Sequence, residues 1–173
     1  DPLFVGGPEG LKKFCKQIFS GIEKWKDFTG MLNIFKLLNL KETMNGVVFE
    51  GKNWKVTCAP IDHFNGICYR LNANGKSIVY SGDMAYDERI CKLGKDADLA
   101  VIECSVPDKK SLRGKHLCPE DIGKLAKIGN FKKVVLTHMY PACEGRENEM
   151  AAKIKEIANC EAIVAEDLLK LEI

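Results

Sequence analysis

The sequence predicts an α/β fold (α+β in some classifications) in which antiparallel hairpins are followed by alternating helices and strands. Two turns, Glu50–Asn53 and Asn72–Lys76, each separate a pair of β-type runs, and the second contains Asn-Gly, the strongest short hairpin signal. Further along the chain, the strands predicted at Leu99–Glu103 and Val134–Thr137 are nearly all apolar, which is typical of strands buried on both faces of a sheet.

The elements of the first half follow from apolar spacing and turn residues. A strand at Asp1–Val5 leads through a Gly-Pro turn into a helix over Leu11–Lys26, whose apolar residues recur at helical spacing. Met31–Leu38 fits either a short helix or a strand, and Asn39–Asn45 is polar. The strands that flank the two hairpin turns are Val47–Phe49, Trp54–Ala59, Ile67–Leu71 and Ser77–Tyr80.

The second half adds three helices and two closing strands. Asp87–Leu93 is a short helix, and Pro119–Ile128 begins with proline and two acidic residues, which suit the first turn of a helix. Glu147–Ala158 is the third helix, and Ala162–Ala165 and Leu169–Ile173 are strands. Because no repeat, low-complexity stretch or linker occurs, residues 1–173 are expected to form one domain.

Composition restricts the class of protein. Hydrophobic residues make up 46% and charged residues 29%, which are ordinary values for a globular protein. A net charge of +2 argues against a dedicated nucleic-acid clamp but allows a substrate with a few phosphates. No apolar run approaches the roughly 18 residues that cross a bilayer, so no membrane partner is expected.

The eight cysteines are scattered, and no Cys-x-x-Cys pair is present. This spacing fits neither a zinc knuckle nor a redox pair. We expect mostly buried free thiols in a reducing compartment, which indicates a cytoplasmic location, with disulfides as the alternative.

All three histidines lie at the ends of predicted strands or in the loops that follow. His63 and His138 each follow a strand, His116 lies in a polar loop before a helix, and Asp83 follows another strand through Ser-Gly. Strand ends at one sheet edge can bring side chains together. Taken singly, each residue is more simply a hydrogen-bonded structural histidine or a turn-forming aspartate. Together, two imidazoles and a carboxylate suit a divalent metal such as Zn²⁺, although they are too few for a complete structural site.

These segments resemble the metallo-β-lactamase superfamily. The resemblance is carried by Ser81-Gly82-Asp83 and Leu136-Thr137-His138, each after an apolar strand, and by His63 before the Tyr69-Arg70 strand. Within that superfamily the chain is most similar to ribonuclease Z-like, phosphodiesterase-type hydrolases. The shared features are the Gly-Pro-x-Gly-Leu passage at Gly7–Leu11, the segment from His116 to Asp121 and the closing Ala165–Asp167.

The resemblance implies an αββα metallo-β-lactamase sandwich and a metal-dependent hydrolase. It implies that His63 ligates one divalent metal, that His138 ligates a second and that Asp83 bridges both. The metals would be zinc, with manganese or iron as alternatives. His116 would not be a ligand but would lie beside the scissile group as a catalytic residue. Glu103 could orient His116, with a solvated strand-end charge as the alternative.

The sequence also departs from the family pattern. The His-x-His-x-Asp-His segment is absent, and Met84 and Cys118 stand where threonine is common. We therefore expect a C-terminal portion of a longer polypeptide, incomplete at its N-terminus, that ligates the metals incompletely and is inactive alone. A short relative that has lost its metals is the alternative.

The substrate and the partners stay open at the level of the sequence. The short connection between His63 and Asp83 leaves no room for the long arm of tRNA-processing relatives. This favours a small ester or phosphodiester substrate, with nucleic acid left open. A non-catalytic binding or structural module on the same scaffold is the alternative function, and a second copy of the chain, forming a homodimer, is an alternative partner.

Overall fold

The computed structural model describes residues 3–21 and 37–173, and its strands form two sheets. The strands are β1 (Leu3–Gly7), β2 (Leu38–Glu42), β3 (Gly46–Glu50), β4 (Trp54–Pro60), β5 (Ile67–Ala73), β6 (Lys76–Tyr80), β7 (Leu99–Glu103), β8 (Lys133–Thr137) and β9 (Glu161–Val164). The α-helices are α1 (Leu11–Gly21), α2 (Arg89–Leu93), α3 (Pro119–Gly129) and α4 (Glu147–Ala158).

The larger sheet has seven strands in the order β3-β4-β5-β6-β7-β8-β9. Neighbours from β3 to β6 are antiparallel, which confirms both hairpins, and neighbours from β6 to β9 are parallel. As a result β4, β6, β7 and β8 all run in the same direction. Their carboxyl ends therefore lie at one edge of the sheet, and this edge carries the candidate site.

The helices α2, α3 and α4 cover one face of the seven-stranded sheet. Buried side chains of β7 and β8, such as Ile102 and Leu136, share a core with Ile122 and Leu125 of α3 and Ile154 of α4. Within residues 3–21 and 37–173, no helix has the length and apolar character that a bilayer-spanning segment requires.

The parallel pair β1–β2 forms the second sheet and lies on the other side. The Tyr69 hydroxyl in β5 donates a hydrogen bond to the carbonyl of Gly6 at 3.1 Å, which ties this pair to the larger sheet. Helix α1 packs against β2. The described residues therefore contain a helix layer, two sheets and a further helix, in the order of the expected αββα arrangement.

All eight cysteines are free and buried, as predicted. Burial raises the pKa of several of these thiols, among them Cys68 and Cys118, each to about 12. These side chains therefore act as small apolar groups of the core rather than as nucleophiles.

Three predictions about elements need comment. The end of the helix predicted to Lys26 and most of Met31–Leu38 lie outside the described residues. Strand β2 occupies part of the polar stretch Asn39–Asn45, where no strand was anticipated. The strand predicted over Leu169–Ile173 is wrong: the residues after β9 form turns and coil, because no neighbouring strand in the described residues offers hydrogen bonds to this alternating segment.

Candidate active site

The predicted site residues meet at the carboxyl edge of the seven-stranded sheet. His63 lies in the loop after β4, Asp83 lies in the loop after β6, and Glu103 is the last residue of β7. His138 directly follows β8, and His116 lies in the loop that enters α3. The parallel course of these strands is the reason that residues far apart in the sequence become neighbours.

Two sharp turns bring Asp83 and His138 together. Gly82 has a φ of +61° and His138 has a φ of +58°, both in the left-handed region that glycine adopts most easily. The Asp83 Oδ2 atom lies 3.5 Å from the His138 Nε2 atom, and both side chains are about two-fifths exposed. This pair is therefore open to a ligand from solvent.

His116 is the common neighbour of the other two histidines. Its ring centroid lies 5.9 Å from that of His63 and 5.7 Å from that of His138, and the His138 ring is stacked on it. The Tyr140 Oη atom lies 2.9 Å from the His116 Nε2 atom. Thus the three imidazoles form one cluster, with a tyrosine hydroxyl at its rim.

Glu103 is the buried centre of the hydrogen-bond network below this cluster. Its side chain is 1% exposed, so the alternative of a solvated strand-end charge is wrong. The Oε1 atom accepts hydrogen bonds from the Met84 N–H and from His116 Nδ1, each at 3.0 Å. The Oε2 atom accepts from the Ser105 hydroxyl at 2.8 Å and from the N–H groups of Ser105 and Leu117, each at 3.2 Å.

This network fixes the tautomers of two histidines. Because the Glu103 carboxylate only accepts, Nδ1 of His116 carries a proton; in the neutral ring Nε2 then has none and accepts from the Tyr140 hydroxyl. The Ser105 hydroxyl donates to Glu103 and therefore accepts from His138 Nδ1, 3.0 Å away. In the neutral ring of His138, Nε2 then carries no proton and faces Asp83, which is the arrangement in which a histidine can ligate a metal.

Two groups of side chains can be considered as cation ligands. Glu103, His116 and His138 each offer a ligand atom within 4.8 Å of the others, the one such group found in the described ranges. However, five donors already occupy the Glu103 oxygens, which leaves little capacity for a metal. Among the described residues no N–H or O–H group donates to the Asp83 carboxylate. Asp83 and His138 therefore fit a divalent cation better.

Ser105 and Tyr140 belong to this site but were not identified from the sequence. Ser105 stands two residues beyond β7, so the strand-end argument that selected Asp83 could also have selected it. Tyr140 gave no such signal, because its importance depends on the turn at His138 that directs its hydroxyl toward His116.

Comparison with known proteins identifies the class of protein. The family model named beta-lactamase superfamily domain matches residues 10–139 of this chain. Ribonuclease Z of Macrococcus caseolyticus is 25% identical over 146 residues, which cover 81% of this chain and 43% of the relative. The chain thus spans less than half of the length of this curated relative.

Solved structures show the same fold. The short form of human tRNase Z has a TM-score of 0.71 at 19% identity, covering 97% of this chain and 66% of the other. Zn²⁺-bound PqqB from Methylobacterium extorquens has a TM-score of 0.65 at 16% identity, and the match covers 99% of this chain and 63% of the PqqB chain. The fold is therefore the metallo-β-lactamase fold. The chain belongs to the beta-lactamase superfamily.

Proposed function

We propose that residues 1–173 are the C-terminal portion of a metallo-β-lactamase domain that acts as a metal-dependent phosphodiesterase. One observation carries this proposal: the open Asp83–His138 pair lies beside the buried network of Glu103, His116 and Tyr140. The first group suits a cation, and the second suits proton transfer. The similarity to ribonuclease Z supports a phosphodiester as the bond that is cleaved.

His63 and His138 would each hold one divalent ion, and Asp83 would bridge the two. Zinc is the metal that we propose, with manganese and iron as alternatives, since two imidazoles and a carboxylate suit all three. Bound ions would supply Lewis acidity that activates a water molecule and offsets negative charge on the phosphoryl group. The sequence contains no His-x-His-x-Asp-His segment, so we expect the 173-residue chain alone to bind metal weakly and to be inactive.

Glu103 and His116 would handle the proton of the leaving group. The buried carboxylate holds Nδ1 of His116 and would stabilise the imidazolium when Nε2 takes up a proton. The same Nε2 could then donate to a phosphate oxygen or to the leaving oxygen. Because Tyr140 donates to Nε2 in this structure, its hydroxyl must move away or take the leaving oxygen as its own acceptor.

The substrate that we propose is a small phosphodiester or the end of a nucleic-acid strand. We place the protein in the cytoplasm, because eight buried free thiols are suited to a reducing compartment.

Hydrolysis of bis-p-nitrophenyl phosphate tests the proposal. The assay needs the polypeptide that also carries the His-x-His-x-Asp-His segment, loaded with zinc, and should include a lactone and an aryl sulfate. His116→Ala should retain the metals and lower turnover about 10²–10⁴-fold, the range for a general acid or base. Asp83→Asn should lose metal and activity together, whereas the exposed Glu156→Gln should change neither.

Two results would contradict the proposal. If His116→Ala matched the wild type on every substrate that is turned over, His116 would have only a structural role. If the metal-loaded protein hydrolysed none of the esters, the non-catalytic module would be the better account.

A further inference from the structure

Phe64 is an aromatic side chain held in solvent directly beside the histidine cluster. It is 83% exposed, although burial of such a ring is strongly favoured in water. Its ring centroid lies 5.1 Å from that of His63, in an edge-to-face arrangement. An exposed ring at the mouth of a candidate active site is a surface available to a substrate.

The exposure of Phe64 is imposed by a closed turn. The N–H of Ile61 donates to the carbonyl of Gly66 at 3.1 Å, and the N–H of Gly66 donates to the carbonyl of His63 at 3.2 Å. Between them Asn65 has a φ of +52°, and its side-chain amide donates to the carbonyl of Glu9 at 3.3 Å. Because both ends of the turn are hydrogen-bonded, the backbone that carries the ring is already ordered, and its ordering adds little entropy cost on binding.

Positive charge lies next to this ring. The Lys115 Nζ atom is 6.0 Å from the Phe64 ring centroid and pairs with Asp62. The same loop carries Lys110 and Arg113, both exposed, and in the described part of the chain neither pairs with a carboxylate. Residues 110–115 therefore carry three basic side chains and no acidic one, and Lys115, paired with Asp62, is the one that lies beside the aromatic ring.

We propose that Phe64 and the Lys110–Lys115 loop form a nucleotide subsite: the ring stacks on a nucleobase, and the cations bind the adjoining phosphates. Aromatic stacking and nearby cations together are the features that bind single-stranded nucleic acid without strict sequence preference. A hydrophobic protein surface would use the ring but would not need the charges. The subsite deepens the proposed function, on which it rests, by naming nucleotide diesters as the substrate class.

Binding of two short probes to the protein without added metal tests the subsite separately from hydrolysis. The probes are trithymidylate and an abasic trimer with the same phosphates, titrated by NMR. Phe64→Ala should weaken trithymidylate binding about 5- to 150-fold, since stacking contributes roughly 1–3 kcal/mol per base. Binding of the abasic trimer should not change, and Phe64→Tyr should bind both probes like the wild type.

Lys115→Gln should weaken the binding of both probes by a similar factor. The plot of log K against log[salt] should also become less steep, by about 0.7 in its slope. This is the contribution of one neutralised phosphate in a single strand. Ile128→Ala is the matched control: this exposed apolar side chain lies near the C-terminal end of α3, beside Lys95 and away from the histidine cluster, and should change neither probe.

The subsite is refuted if Phe64→Ala affects both probes equally. It is also refuted if the wild-type protein binds the two probes equally or binds neither at millimolar concentration. Failure of the proposed function is distinguishable, because base-dependent binding would then persist in a metal-loaded polypeptide that hydrolyses no diester. Conversely, if the metal-loaded polypeptide hydrolysed bis-p-nitrophenyl phosphate but showed no base-dependent binding, only the subsite would be contradicted and the proposed function would stand.

Discussion

At the scale of single residues, Glu103 determines how the site histidines can be used. A buried carboxylate is costly unless donors surround it, and here five donors do so. Those donors come from two loops: Met84 lies in the loop after β6, and Ser105, His116 and Leu117 lie near the two ends of the loop between β7 and α3. The same residue therefore stabilises the loops and orients His116 directly and His138 through Ser105.

Glu103→Gln should lower the free energy of unfolding by roughly 2–4 kcal/mol, because an amide nitrogen would face at least two of the five donors. Urea unfolding of the two proteins measures this difference. Glu156→Gln, which removes an exposed carboxylate paired with Lys153, should change the free energy by less than about 0.5 kcal/mol. Equal unfolding midpoints for Glu103→Gln and the wild type would show that the network does not stabilise the fold.

At the scale of elements, Asp98 joins the starts of three parallel strands. Its carboxylate accepts hydrogen bonds from Lys132 Nζ before β8 and from the N–H and hydroxyl of Ser77 in β6, while Asp98 itself precedes β7. Lys132 and Ser77 together lower the pKa of the Asp98 carboxyl from 3.8 to about 2. The strand starts are thus held by one charged group at the edge opposite the site.

This lowered pKa predicts a pH dependence of stability. A carboxyl with a lower pKa in the folded state contributes stability above its unfolded pKa, and that contribution is lost as the pH falls from about 4 to about 2. Asp98→Asn should therefore be less stable than the wild type by roughly 1–2 kcal/mol at pH 7, and the difference should shrink across that window. Urea unfolding at several pH values measures it. The exposed Asp167→Asn should show no such trend, and a constant deficit for Asp98→Asn would contradict the assignment.

The close contact between α3 and α4 predicts that an alanine substitution at Gly123 destabilises the protein, the opposite of the usual effect of alanine in a helix. A Cβ atom added to Gly123 of α3 would lie 2.8 Å from the Cβ atom of Ile157 in α4. Gly123→Ala should therefore destabilise the protein by roughly 1–3 kcal/mol, although alanine in a helix normally gains up to about 1 kcal/mol over glycine. Thermal unfolding should show a lower midpoint.

The double variant Gly123→Ala/Ile157→Ala supplies the control for this contact. Ile157→Ala removes the Cδ1 and Cγ2 atoms, which would lie 3.0 and 3.1 Å from the added Cβ atom, and leaves only the contact with the Ile157 Cβ atom. Adding Gly123→Ala to this variant should therefore cost less than adding it to the wild type. If both backgrounds lost the same free energy, the helices would not be in the close contact described.

Elements with local signals were predictable from the sequence, and those that depend on a distant partner were not. The Asn74-Gly75 hairpin and the apolar strand Leu99–Glu103 carry their own signals and form as expected. Strand β2 is polar and exists because it pairs with β1, more than thirty positions earlier. Leu169–Ile173 alternates like a strand but has no such partner within residues 3–21 and 37–173, so its pattern was misleading.

At the scale of the whole molecule, the candidate site residues all lie at one edge of the mixed seven-stranded sheet. Strand ends alone indicated that His63, Asp83 and His138 would approach one another, since parallel strands end at the same edge. The roles within the cluster required the structure, because tautomers depend on Glu103 and on the hydroxyls of Ser105 and Tyr140. No spacing in the sequence encodes those contacts.

The most direct test of the central claim is anomalous diffraction at the zinc edge from crystals of the polypeptide that also carries the His-x-His-x-Asp-His segment. We expect zinc within about 2.0–2.2 Å of His63, Asp83 and His138, with Glu103 and His116 still hydrogen-bonded to each other. Zinc on Glu103 and His116, or no zinc beside Asp83 in fully loaded protein, would contradict the account.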